Sequence, residues 1–118
     1  MSVLLQDLQA VLAPIAAGGA WYAVNEAQPA ALPFIVYDRV ISTTNNNLTG
    51  SSDLQNTRIQ VDVFAKTIAQ AESIGRQVVA AMQIGPWRAA INLTAQDFYE
   101  AEIRAHRVSL DFSVWATN

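Results

Sequence analysis

Arg58-Ile59-Gln60-Val61-Asp62-Val63-Phe64-Ala65, followed after Lys66 by Thr67-Ile68-Ala69-Gln70-Ala71-Glu72-Ser73-Ile74-Gly75-Arg76-Gln77-Val78-Val79-Ala80-Ala81-Met82, sets the fold class of this chain. Two periodicities meet in it. Ile59, Val61 and Val63 alternate with Arg58, Gln60 and Asp62, which gives a strand one apolar and one polar face. Ile68, Ala71, Ile74, Gly75, Val78 and Met82 then recur at helical spacing, so that one stripe of a helix can lie back on the apolar face of the strand. Thr67 is placed to cap that helix, with Gln70 three residues on completing a capping box. Gly85-Pro86 stops it. A strand running almost directly into a helix that packs on it predicts an α+β domain.

Working outward, Leu4, Leu5, Leu8, Val11, Leu12 and Ile15 form an apolar stripe on an N-terminal helix that Ser2 can cap and that ends near Pro14 and Gly18-Gly19. Ala20 to Asn25 predicts a short strand, and Phe34 to Ser42, β-branched and aromatic, a strong one with both faces partly apolar. Thr43 to Asn56 is polar with almost nothing to bury, and predicts a long hairpin arm, either simply flexible or ordered against a partner. Past Pro86, Trp87 to Thr94 predicts a strand with Ala90, Ile91 and Leu93 turned inward, and Asp97 to Ile103 a short separate extended piece. From Arg107 to Ala116 the alternation is strict: Val108, Leu110, Phe112 and Val114 on one face, Arg107, Ser109, Asp111, Ser113 and Trp115 on the other. The expectation is a mostly antiparallel sheet of four to five strands, with an N-terminal helix and a second helix over about residues 67–83 packed on it, in a single domain spanning 1–118.

Composition limits the function classes. The chain of 118 residues has no cysteine, which removes disulfides, thiolate metal sites and cysteine nucleophiles, and its single His106 argues against a histidine metal cluster. Charged residues are 14% of the chain, well below the usual quarter or so, and AVILMFWYC residues are 52%. So few charges predict either a surface rich in Asn, Gln, Ser and Thr, as part of this sequence is, or one partly covered by neighbouring subunits. A net charge of -3, with scattered basic residues, argues against gripping nucleic acid. The N-terminal apolar stretch has no basic region before it and is interrupted by Asp7, unlike a signal peptide, and no apolar run is long enough to span a bilayer.

The chain shows no glycine-rich phosphate loop and no Gly-x-Ser-x-Gly elbow. Glu100, Glu102 and His106 could be pictured as paired carboxylates or metal ligands in a small enzyme or ligand-binding domain, but solvated strand residues are the commoner outcome of such a pattern. The polar faces of the two best strands say more. Arg58 and Asp62 on one, and Arg107 and Asp111 on the other, share one spacing. If the strands are antiparallel neighbours, each Arg can face an Asp across the ladder, either as incidental ion pairs or as a charge pattern that another subunit recognises. Trp115, on the same face, is a candidate interface anchor or a cover for a sheet edge.

The ordered set of an amphipathic N-terminal helix, Pro33-Phe34-Ile35-Val36-Tyr37, the Arg58 to Ala65 strand with its helix, and a closing Arg107-Val108-Ser109-Leu110-Asp111-Phe112-Ser113-Val114-Trp115 resembles the tail-completion, or tail terminator, proteins of tailed phages, whose fold is that of the lambda-like terminators. The likeness covers most of the chain. The resemblance implies a non-enzymatic virion protein of the tail neck, assembled in the host bacterial cytoplasm without cofactor, metal or membrane. It implies a homo-oligomeric ring, typically six-fold, that caps the tail tube protein, ends polymerisation and meets a head-side connector or adaptor. DNA only passes through its lumen. A head-side adaptor is the near alternative. The neighbour-facing residues expected from this reading are Arg58, Gln60, Asp62, Arg107, Asp111 and Trp115, with Asn45, Asn46, Asn47 and Leu48 of the arm. Members of this family often carry a glycine turn ahead of the final strand, and Ile103 to Arg107 has none.

Overall fold

The computed structural model describes residues 3–25, 31–44 and 54–117. Its elements run α1 (Val3–Leu12), a single 3-10 turn (Ala13–Ile15), β1 (Ala20–Tyr22), β2 (Phe34–Thr44), β3 (Leu54–Ala65), α2 (Ile68–Gln83), β4 (Ala89–Glu100) and β5 (Ala105–Thr117). The five strands form one sheet in the order β1-β2-β3-β5-β4, antiparallel except where β1 lies parallel to β2. The expected α+β class and both helices are therefore present.

The core sits on one face of the sheet. Ile59, Val61 and Val63 of β3 stand beside Ile35 and Tyr37 of β2 and Val108, Leu110, Phe112 and Val114 of β5, and both helices close over them. From α2 come Ala71, Ile74, Val78 and Met82, as the helical spacing predicts; Ile68, in the first turn, is instead largely exposed. From α1 come Leu5, Leu8 and Leu12. A polar tie crosses this layer. Tyr37 donates its hydroxyl to Gln9 Oε1 at 2.7 Å, and Gln9 Nε2 donates to the Ala20 carbonyl at 2.9 Å, so the buried phenol is satisfied and α1 is pinned over β1 and β2. Burial, and the nearby Tyr22, push the Tyr37 hydroxyl above its ordinary pKa, which keeps it neutral as a donor.

The capping expectation is met on one side: Thr67 is the N-cap of α2 and its Oγ1 accepts from the Gln70 backbone N–H at 3.1 Å. At the other end Trp87 does not begin a strand. Its indole Nε1 donates to the Met82 carbonyl at 2.6 Å, satisfying one of the carbonyls left open at a helix C-terminus.

Three sequence expectations are corrected. The first strand ends at Tyr22, because Ala23 takes φ 68 and turns the chain away. The stretch expected as a 43–56 arm is shorter: Thr43 and Thr44 pair with Asn56 and Gln55, so the ladder of β2 and β3 runs on with polar residues, for which β-branched Thr is well suited. Asn45, Asn46, Asn47 and Leu48 lie outside the described residues. Finally, Trp87 to Thr94 and Asp97 to Ile103 are not two pieces. Ala89 to Glu100 is one continuous strand paired along β5, and Ile91 and Leu93 point away from the core, at 54% and 46% exposure. Leu93 has no partner on β5, and this bulge shifts the alternation by one, which is what hid the strand from a period-two reading.

Candidate functional site

The second face of the sheet carries no helix among the described residues, and the candidate interface residues assemble there. In the β3 and β5 ladder Gln60 lies opposite Asp111, Arg58 opposite Ser113 and Asp62 opposite Ser109. The two Arg/Asp pairs therefore meet diagonally. Arg58 forks onto Asp111, with Nε 3.3 Å from Oδ1 and Nη2 on Oδ2. That hydrogen bond, and the charge of Asp111, hold the guanidinium above its already high pKa. Arg107 Nη1 is 3.7 Å from Asp62 Oδ2, and Gln60 Nε2 donates to both Asp62 oxygens at 3.2 Å. Asn56 Nδ2 donates to Ser113 Oγ at 2.7 Å, next to the rung where Asn56 faces Trp115. Arg58, Gln60, Asp62, Arg107 and Asp111 thus form one locked charge pattern, with Trp115 at its flank.

Arg107 has further neighbours that sequence reading assigned elsewhere. Its Nε lies 3.1 Å from Glu100 Oε1, a close charge contact rather than an aligned hydrogen bond, and its guanidinium carbon stands 4.4 Å above the Phe98 ring. Glu100 is therefore committed to an ion pair. Glu102 sits in the Ala101 to Arg104 turn rather than on a strand, and the His106 ring packs edge-on against Tyr99 at 5.0 Å. No group of three or more metal-ligating side chains occurs among the described residues.

The turn ahead of β5 lacks the expected glycine, and Arg104 adopts φ 52 in its place, closing the turn through its N–H to the Ala101 carbonyl at 3.3 Å. A side chain in this left-handed region costs about 1 kcal/mol relative to glycine. Arg104→Gly is accordingly expected to raise stability by up to about 1 kcal/mol, read as a higher midpoint in urea with an unchanged slope.

Asp38 was not singled out from sequence, although it extends the same face. It pairs with Gln60 across β2 and β3, and burial, with Asp62 close by, raises its carboxyl above the ordinary 3.8. A folded pKa above the unfolded one means that the native state holds more protons in that window, so stability falls as pH rises through it and the ionised carboxylate is a cost at neutrality. Asp38→Asn is expected to raise the melting temperature at pH 7, with the gain fading as the pH falls through the raised carboxyl pKa and gone once it is below the ordinary aspartate value. A gain that persisted unchanged in acid would show a different cause.

Sheet edge β4 is open along its length among the described residues. On the helix side a groove of about 440 Å³ separates it from α2, with Gly75, Val79, Ala95 and Leu110 along its apolar part and Glu72, Arg76 and Asp97 at its rim. No helix among the described residues is long and apolar enough to cross a membrane.

Together these features define a small α+β domain whose sheet, among the described residues, is covered by helices on one face and open on the other. The chain belongs to the family of the Tail completion protein gp17, which it matches over residues 6–117. That membership makes it a structural protein of a tailed particle. In fold it is similar to a chain of the "Virion of native gene transfer agent (GTA) particle", with a TM-score of 0.67 and 18% identity over 98% of this chain and 92% of that one. No curated protein matches it.

Proposed function

We propose that this chain is the subunit of a ring that caps the finished tail tube, stops tube polymerisation and provides the surface on which the head joins. The observation that carries this reading is the open sheet face with its locked charge pattern. Paired charges held by cross-strand contacts present a fixed surface, which favours register and partner choice more than raw affinity. Arg58, Gln60, Asp62, Arg107, Asp111 and Trp115 meet neighbouring copies there, and Asn45, Asn46, Asn47 and Leu48 are further candidate contacts by sequence. The whole chain acts as one terminator-like domain, and the protein catalyses no reaction. The tail tube protein lies on one side of the ring and a head-side connector on the other. Only seven Lys and Arg among 118 residues leave a lumen through which DNA passes without being retained.

Tails assembled without this protein test the reading. Adding the purified chain is expected to produce a ring at one tube end in negative-stain images, tubes of uniform length, and tails competent to join heads. Binding to heads but not to tubes would instead make it a head-side adaptor, and tubes that keep growing in its presence would overturn the capping role. Asp111→Arg, which sets like charge against Arg58, is expected to abolish the ring while leaving the helix content of the free subunit in place.

A further inference from the structure

β4 is an unusual strand. It is 12 residues long, contains no buried residue, and yet carries Ile91, Leu93, Phe98 and Tyr99, all exposed. It is held by β5 on one side, and its other edge offers free backbone donors and acceptors to a further strand. Such an edge is normally blunted with Lys, Pro or a bulge; β4 has neither Lys nor Pro, and its bulge at Leu93 admits only a strand that matches it.

We infer that the β4 edge pairs antiparallel with the β4 edge of a second copy of this chain, about a twofold axis at Ala95. Pairing with β5 fixes which β4 side chains share a face: Ala90, Asn92, Ala95, Asp97 and Tyr99 stand on the helix side with Val114 to His106, and Ile91 and Phe98 on the outer side. With Leu93 bulged out, the strand is symmetric about Ala95 in a way that satisfies every face. Ile91 meets the second copy's Phe98 on the outer side, and Ala90 meets the second copy's Tyr99 on the inner side. Asn92, whose Nδ2 also donates to the Thr94 and Asp111 carbonyls of its own chain at 3.2 and 3.4 Å, meets the second copy's Asp97, so the two Asp97 carboxylates stay apart and each faces an uncharged side chain. The small Ala95 lies against itself at the axis, beside the groove. The bulge, which would misalign an unrelated strand, occurs once in each copy at symmetry-related places and so leaves the register intact.

Edge pairing of this extent falls below roughly 1,000 Å² of buried surface, the range of weak and reversible contacts. A twofold contact is also isologous and cannot by itself close a single-layered cyclic ring. The pairing therefore belongs to the free subunit, where it covers the edge until the subunit joins the particle. It does not rest on the capping role, and either can fail without the other.

Sedimentation equilibrium of the full chain up to about 1 mM is the first test, since that range spans weak interfaces. The mass is expected to rise with concentration from 12.8 kDa to twice that value and stop there. The chain has no native cysteine, so Ala95→Cys reports the axis directly: mild oxidation is expected to give a covalent dimer faster than Ala80→Cys, on an exposed position of α2. Asn92→Asp places two carboxylates opposite each other twice and is expected to weaken self-association at least about tenfold. Mixing it with Asp97→Asn restores an amide opposite every carboxylate and is expected to rescue the dimer, and a thermal melt of the diluted variant separates this from misfolding. A monomer at all concentrations, equal oxidation at the two cysteines, or failure of the mixed pair to associate would overturn the twofold register.

Discussion

Phe112→Ala is expected to lower the unfolding free energy by about 3–5 kcal/mol, the largest loss from any single truncation considered for this chain. Phe112 is among the largest of the fully buried side chains, sits on β5 opposite Ile59 of β3 and Asn92 of β4, and faces the helices from the middle of the sheet. Its ring fills space between two strands and the layer above, so its removal leaves a cavity that neither rigid neighbour can close. For a domain of this size the loss corresponds to a fall in melting temperature of roughly 12–20 °C, measurable by calorimetry. A fall of only a few degrees would mean that the helices settle into the gap.

Gly18→Ala comes next, with an expected cost of at least about 3 kcal/mol, at the upper end of overpacking in well-packed sites. The Gly18 N–H donates to the Pro33 carbonyl at 2.7 Å, and a Cβ built there would collide with the Ala31 carbonyl oxygen and stand 2.6 Å from that of Pro33. Backbone on both sides leaves no flexible side chain to give way. The contact joins the exit of the N-terminal helical segment to the entry of β2, so relief of the clash would have to displace one or the other. Urea unfolding with an intact slope and a lower midpoint is the expected result. A stability within about 0.5 kcal/mol of wild type, the range of ordinary surface substitutions, would show that this junction yields easily. Sequence reading saw in Gly18-Gly19 only a place for the chain to leave the helix; the need for a missing side chain arises from a segment more than ten residues away.

What was legible follows from how many neighbours decide each element. β5 was legible because one of its faces is wholly core, and strict alternation from Val108 to Val114 follows. The α2 boundaries were legible because Thr67 and Gly85-Pro86 act through local backbone groups. The diagonal pairing of Arg58 with Asp111 and Asp62 with Arg107 was foreseeable as a condition on strand adjacency, and the β3 and β5 register meets it. β4 was misread because burial does not shape it: with neither face covered, its apolar residues obey no core-facing period, and the Leu93 bulge breaks the alternation again. Asp38 and Glu100 escaped notice because their significance comes from residues on neighbouring strands, Asp62 and Arg107, that no local spacing connects to them.

The strand order carries a consequence for synthesis. β5 follows β4 in the sequence, yet it lies between β3 and β4. As the chain emerges, β4 has no strand to pair with until Ala105 and the residues after it have appeared, and Val61 and Val63 lack the flanking wall that β5 provides. The five-stranded sheet therefore closes only after β5 has been made, through contacts far apart in sequence, which is slow by nature. A product that ends before β5 lacks Arg107 and Asp111, and leaves Arg58 and Asp62 on β3 without the charges they pair with.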